Sequence, residues 1–281
     1  GHEAAGEIVE VGAEVTGFEV GDHVVIDTMT FVDGNFGSGG DQGGFNEYVV
    51  VHEAAPGKQL RVIPADLPWE VAALNEPMAV ALHAVNRLDA DPGAKICIVG
   101  AGPIGLGALL GAKAKGAGHV VVVDVQPARL ETALAIGADV VINPTEEDLR
   151  ERLIALHGEG ARGELGTVRP DTDGYIDAAG SPAGLQSIFD SLKFGAVVSI
   201  PAVYKEKVQV DLLGLLPAEP DIRMSKAYPT EIFEVTDDII ANADKYRRII
   251  SHVLPYSRVL EAIELAGTPR ATDKVVVLLD D

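Results

Sequence analysis

Residues 94–124 read AKICIVGAGPIGLGALLGAKAKGAGHVVVVD, and this stretch decides the fold. The apolar run Ala94–Val99 meets Gly100-Ala101-Gly102-Pro103-Ile104-Gly105, then a helical segment of small residues, then Val120–Val123 closed by Asp124. The order is strand, glycine turn, helix and a second strand ending in an acid. Physically this is a cradle for a dinucleotide pyrophosphate over a helix N-terminus. Gly100 permits the turn, Gly102 lets the backbone approach the phosphates, and Gly105 lets helix and strand pack closely; Pro103 and Ile104 complete the turn. Asp124 stands 22 residues after Gly102, where a carboxylate accepts both hydroxyls of an adenosine ribose. A 2′-phosphate would set a dianion against that carboxylate, so the pattern favours NAD over NADP. Arg129 is placed to border the adenine, with a surface helix charge as the alternative.

Working outward, the βα alternation continues. Strands are expected at 95–99, 120–123, 139–142, 174–177 and 195–200, with helices at about 104–117, 127–136, 146–158 and 182–192. Gly137 serves as C-cap of the second helix. Asp177-Ala178-Ala179-Gly180 ends one strand on the rim where doubly wound sheets bind ligands. Ser199-Ile200-Pro201 ends the next, with Ser199 and Ile200 candidates for backbone contacts to a nicotinamide carboxamide. Upstream, residues 1–64 are strand and turn: Gly6–Val11 alternates, Asp22–Ile26 is a second strand and Phe45–His52 a third. Between them, 33–44 (DGNFGSGGDQGG) carries no hydrophobic period and reads as a loop. From Pro68 the period turns helical as far as 90, with Ala72, Ala73, Met78, Ala79, Leu82 and Val85 as the apolar face and a kink or restart at Pro77. Residues 159–172 read as a polar loop. A helix at about 256–266 and a strand over Lys274–Leu279 close the chain.

With 281 residues the chain is long enough for two domains, and 47% apolar content fits a folded soluble protein. A net charge of -21 leaves nothing to neutralise phosphates over a broad face, which excludes nucleic acid and anionic membrane as partners. No apolar run reaches membrane-spanning length and no signal-peptide pattern is present, so a cytoplasmic location is expected. The chain opens at Gly1-His2-Glu3 and passes almost at once into strand-like alternation, as though it began inside a domain. The one cysteine, Cys97, sits within the strand before Gly100. It is read as a core residue, neither nucleophile nor ligand.

Taken in order, several segments resemble the zinc-containing medium-chain alcohol and polyol dehydrogenases. Gly1-His2-Glu3-Ala4-Ala5-Gly6 is similar to that family's GHE segment, and Gly21-Asp22-His23-Val24 to its GDRV turn, with His23 in place of arginine. Gly43-Gly44-Phe45-Asn46-Glu47-Tyr48 resembles GGFAEY, and Glu76-Pro77-Met78-Ala79-Val80-Ala81-Leu82-His83-Ala84 resembles EPLAVALHA of the polyol, threonine and butanediol branches. Gly100–Leu106, Asp124, Arg129-Leu130 and Gly137-Ala138-Asp139 follow in register. The resemblance implies an α/β protein made of a GroES-like β domain and a Rossmann doubly wound parallel-sheet domain, with hydride transfer between an alcohol and NAD. The domains expected are 1–88 (GroES-like, first part, incomplete at its N-terminus), 89–225 (Rossmann, NAD-binding) and 226–281 (its end and the return to the first domain). Two parts of the family pattern are absent from this chain. One is a segment before the GHE motif that carries a zinc-ligating cysteine. The other is a four-cysteine lobe between the segments corresponding to Val24 and Gly43, deleted, replaced or lost from this sequence.

The same resemblance implies His2 as a ligand of one catalytic zinc, Glu3 as ligand or near neighbour, and Glu76 as ligand directly or through water. These three are also the catalytic candidates; a structural zinc is not expected. Glu76 precedes a proline in an apolar helix, a costly place for an unpaired carboxylate, with a helix-cap or ion-pair role as the alternative. Ala179 and Gly180 are implied to line the nicotinamide half. His23, His52 and His83 read as structural or surface residues, and Lys274 as a structural ion pair. The function implied is NAD-dependent oxidation of a secondary alcohol (polyol, sugar alcohol, diol or amino-alcohol), zinc polarising the alcohol or ketone oxygen. The alternatives are a zinc-independent quinone or enone reductase of the same fold, or a non-catalytic NAD-binding protein. A homodimer or homotetramer is expected through the strand near 196–200 and its continuation to Tyr204, whose Val197, Val198, Ile200 and Val203 suit an edge shared between subunits. Cover by residues 208–230 of the same chain is the competing account.

Overall fold

The computed structural model describes residues 1–31, 36–160, 167–268 and 272–279. Residues 33–35 of the expected glycine loop and 161–166 of the expected polar loop therefore lie outside the described residues. The chain divides into two units, Gly1–Ala79 with Pro229–Asp281, and Val80–Tyr228. In chain order the first elements are β1 (Ala5–Glu7), β2 (His23–Ile26), β3 (Leu60–Val62), α1 (Trp69–Ala72) and α2 (Asn75–Asn86). Then come β4 (Lys95–Val99), α3 (Pro103–Ala114), β5 (His119–Val123), α4 (Pro127–Ile136), β6 (Val140–Ile142) and α5 (Leu149–His157). They are followed by β7 (Gly174–Asp177), α6 (Pro182–Phe189), β8 (Val197–Ile200), α7 (Leu212–Leu215) and β9 (Asp221–Met224). The last are α8 (Glu234–Ala241), α9 (Ala243–Arg247), β10 (Ile250–Pro255), α10 (Val259–Gly267) and β11 (Lys274–Leu278).

In the first unit β1, β2 and β3 form an antiparallel sheet, with Gly6 opposite Val24 and Val24 opposite Val62. Phe18, Val24, Ile26, Phe36 and Leu60 make its core. Only Ala5–Glu7 of the expected alternating segment is strand; Val9 is exposed beyond it. The expected strand at 45–52 does not form. Its alternation is satisfied another way: Val49 and Val51 face the core while the Gln42 side chain donates to the Val50 carbonyl at 3.1 Å and accepts from the Val50 N–H at 2.6 Å. A side-chain amide thus replaces the strand partner. β10 and β11 pair in parallel as a separate ribbon.

The helical stretch from Pro68 breaks at Ala73-Leu74 rather than at Pro77, and α2 restarts at Asn75. Pro77 then stands in the first turn, where its missing N–H removes no helical hydrogen bond.

The second unit holds six parallel strands in the order β6-β5-β4-β7-β8-β9. The strand order reverses between β4 and β7, which opens a crevice at the carboxyl ends of those strands. One face of the sheet packs Val99, Val121, Tyr175 and Val198 against Leu153, Leu185 and Ile188. The expectation that β8 forms the sheet edge is corrected here. β9 pairs with it from Val197↔Asp221 to Ile200↔Met224, so the competing cover by the following segment is what the structure has. Asp221-Ile-Arg-Met alternates over four residues only, with Ile222 and Met224 exposed, and its non-local pairing is what identifies it as a strand. Cys97 is fully buried in β4, as expected.

Candidate functional site

In the second unit the glycine turn is forced by close approach. Gly100 holds φ at +106°, and a Cβ there would stand 2.7 Å from the Ala179 nitrogen. A Cβ on Gly105 would fall 1.7 Å from the Gly100 carbonyl oxygen. α3 starts with Gly102 at its N-cap and Pro103 at N1, and no side chain caps it. In the same unit Asp148, Ser181 and Asp211 cap α5, α6 and α7. The first intrahelical bond of α3 is Leu106 N–H to the Gly102 carbonyl at 2.9 Å. The Ile104 and Gly105 N–H groups stand before it, at the positive end of the helix, as donors for an anion.

Asp124 is fixed at the end of β5. One carboxylate oxygen accepts the Ala101 N–H at 2.8 Å and the other the Gln126 N–H at 2.9 Å. The remaining lone pairs suit ribose hydroxyls. Arg129 places Nη1 4.0 Å from an Asp124 oxygen, and the same guanidinium stands over Gly102. It therefore belongs to the rim of this site. Ala179 and Gly180 reach the same rim, both N–H groups donating to Asp177 Oδ1 at 3.2 Å. Ser199 and Ile200 are turned inward: Ile200 packs in the core and its carbonyl accepts the Ser225 N–H at 3.0 Å. The Ser199 and Ser225 hydroxyls are both buried without a hydrogen-bond partner.

Asp177 and Tyr204 were not legible as a pair. Asp177 is fully buried at the end of β7, and the Tyr204 hydroxyl, 27 residues away in sequence, donates to its Oδ2. Burial and then this bond push the Tyr204 phenol well up, so it remains a donor.

In the first unit His2, Glu3 and Glu76 each bring one ligand atom to within 4.8 Å of the others. His2 Nε2 stands 3.8 Å from Glu76 Oε2, near the roughly 3.4 Å edge of a tetrahedral zinc shell with 2.0–2.1 Å bonds. Glu76 is buried. Its carboxyl is raised to about 7, first by burial and then by the Asp27 charge. Burial also lowers the His2 imidazole, which keeps it a neutral nitrogen donor. A buried carboxylate beside another acid and an imidazole is a donor set that a divalent cation fits. Glu3 accepts an ion pair from Lys274, which makes the expected structural role of Lys274 specific. Burial pulls that ammonium down to about 8 even beside Glu3. Asn75 anchors the start of α2 next to Glu76, donating to the Ile232 carbonyl at 2.7 Å and accepting from Thr236 at 2.8 Å. Its signal lay inside Asn75-Glu76-Pro77 but pointed only at the acid. Among the described residues the sole cysteine is Cys97, in β4 of the other unit, its thiol pushed up by burial, so no thiolate joins this cluster.

Comparison with known proteins follows the same division. Residues 103–242 match a family model described as zinc-binding dehydrogenase, and residues 1–60 match the alcohol dehydrogenase GroES-like domain. Sorbitol dehydrogenase of Bacillus subtilis is 33% identical over 265 residues, covering 85% of this chain and 70% of that protein. L-threonine 3-dehydrogenase of Pyrococcus abyssi is 35% identical over 236 residues, covering 77% of this chain and 62% of that protein. The crystal structure of 2R,3R-butanediol dehydrogenase from Bacillus subtilis superposes with a TM-score of 0.82 at 26% identity, covering 99% of this chain and 80% of that one.

Proposed function

The chain belongs to the zinc-type medium-chain dehydrogenase family, an NAD-binding oxidoreductase fold with a GroES-like β domain and a Rossmann-type domain, and from that premise we propose that it oxidises a secondary alcohol with NAD. The substrate class is a polyol, sugar alcohol, diol or amino-alcohol. The observation that carries this reading is the convergence of His2, Glu3 and Glu76. When bound, a divalent cation supplies Lewis acidity toward an alcohol or ketone oxygen, and nicotinamide accepts or returns the hydride. His2 and Glu76 would hold the cation, and Asn75 fixes the helix turn that presents Glu76. Lys274 restrains Glu3 at the border of the cluster. Ile104 and Gly105 bind the pyrophosphate through their N–H groups, and Asp124 orients the adenosine ribose.

Elemental analysis of the full-length protein, run beside an NAD-linked oxidation screen over polyols, diols and amino-alcohols, tests the proposal. About one zinc per chain with turnover on at least one alcohol is expected. NADH binding without zinc and with enone or quinone reduction would replace it by the zinc-independent reading. NADH binding without turnover of any kind would leave a non-catalytic protein.

We further propose a cytoplasmic dimer, with a tetramer as its doubling. Among the described residues no helix is long and apolar enough to cross a membrane. One of the two edges of the six-stranded sheet is β9, whose Ile222 and Met224 are exposed, as are Leu212, Leu213 and Leu216 of the preceding segment. An apolar open edge of this kind is normally covered, and a two-fold pairing covers it with itself. Light scattering at micromolar concentration should report twice the chain mass; a fully active monomer would sink this assignment.

A further inference from the structure

The glycine turn, the β7 end and the segment after β8 form one continuous stack in the second unit. Gly100 leaves no room for a Cβ against Ala178 and Ala179. On the far side of that turn, Gly180 holds φ at +62°, and a Cβ there would meet Ala202 Cβ and the Val203 carbonyl oxygen, each at 3.3 Å. The Ala202 N–H donates to the Asp177 carbonyl at 3.3 Å. The 177–180 turn is thus clamped between the dinucleotide loop and residues 202–204.

What ties the outer layer down is a side chain. Asp177 is a fully buried carboxylate. One oxygen is shared by the Ala179 and Gly180 N–H groups, both at a long 3.2 Å, and the other is taken by the Tyr204 hydroxyl. A buried carboxylate left short of donors is strongly destabilised. Loss of the phenol would therefore shift Asp177 toward other donors and move the 177–180 turn with it.

We propose that Tyr204 is a positioning residue for the nicotinamide half of the cofactor: through Asp177 it sets the height of the Ala179-Gly180 backbone on the rim. The assignment rests on the reading of this rim as a dinucleotide site. The Tyr204 hydroxyl bonds to Asp177, whereas the Asp124 carboxylate is held by the Ala101 and Gln126 N–H groups. Asp124 ends a strand two places from β7, roughly 10 Å across the sheet at ordinary strand spacing. The adenosine half should therefore be insensitive to Tyr204, and that separation supplies the test.

Tyr204→Phe keeps the ring and removes only the hydroxyl. Affinities for NADH and for AMP, measured by calorimetry on the full chain, should separate: NADH about tenfold weaker, AMP unchanged. Asp177→Asn keeps an acceptor for the two N–H groups and replaces the charge-assisted bond from the phenol by a weaker neutral one, in which the amide NH2 donates to the phenol oxygen. It should show the same split and serves as the decisive variant if Tyr204→Phe fails to fold. Equal NADH affinity in wild type and variants would overturn the assignment, and so would parallel loss of NADH and AMP, which marks a general collapse of the domain. A wild-type chain that binds AMP but not NADH overturns it as well. One that binds neither overturns the dinucleotide reading on which it stands.

Discussion

Replacing Asp124 with serine should cut the preference for NAD over NADP by about 2 kcal/mol, roughly thirtyfold in the ratio of kcat/KM values, the scale of a hydrogen bond to a charged group. The direction follows from both ends of the residue. In wild type the carboxylate is pinned by the Ala101 and Gln126 N–H groups, so it cannot swing aside to admit a 2′-phosphate. Serine removes the charge and both ribose acceptors in one step, which weakens NAD. Arg129, whose guanidinium stands 4.0 Å from that carboxylate, then faces a 2′-phosphate without a competing anion, which strengthens NADP. The ratio should therefore move from both sides. Steady-state kinetics with the two cofactors on one alcohol measures it. An unchanged ratio would remove Asp124 from the ribose and with it the strongest residue assignment on this rim.

What made Asp124 legible is that its environment is local. The turn at Gly100, the proline opening α3 and the acid closing β5 are all backbone demands within a few tens of residues, and each admits few residue types. The same holds for α4, expected at 127–136 and found there: Pro127 starts it, and Gly137 ends it at a φ of +125°. Elements decided by which group takes up their backbone hydrogen bonds are not legible in the sequence. Phe45–His52 alternates as a strand should, yet the Gln42 side chain occupies the backbone groups that a neighbouring strand would take. β9 is only four residues long and leaves its apolar Ile222 and Met224 exposed, and its pairing with β8 is what makes it a strand. β10 carries no local strand signal, and its partner, β11, lies beyond α10 in sequence.

The candidate site divides the same way. A resemblance of motifs points to His2, Glu3 and Glu76, and the fold brings all three to one place. The residues that hold them, Asn75 on Glu76's helix and Lys274 on Glu3, act across the first unit over long separations. Tyr204 and Asp177 are the corresponding case in the second unit. Motif spacing reports groups that meet a ligand; it is silent on groups that position them, because several residue types and several loop lengths can supply the same hydrogen bond.

The nucleotide unit should lose about 3 kcal/mol of stability between pH 7 and pH 4 on account of one buried histidine, His157. Its Nδ1 lies 2.7 Å from the buried Thr172 hydroxyl and its Nε2 lies 2.9 Å from His119 Nδ1. The Lys95 ammonium donates to the His157 carbonyl at 2.9 Å and to Asp171 at 2.8 Å. Burial lowers the imidazole to about 4, with the neighbouring His119 and Lys95 charges adding to it and Asp173 and Asp171 opposing. The folded value thus lies below the unfolded one near 6.5. Above that pH neither state carries the extra proton and the full stability is present. As pH falls toward 4 the unfolded chain takes up the proton and the folded one does not, so folding is progressively disfavoured; below about 4 the loss levels off. Carboxylates titrate in the lower part of this window too, so the comparison must be internal. His157→Gln, which cannot ionise, should show a slope shallower than wild type by about that 3 kcal/mol across the window. Hydrogen exchange at the buried amides of Val120–Val123 is a probe local to this unit. Equal pH slopes in the two proteins would mean that His157 takes up its proton in the folded state, and the account of its burial would be wrong.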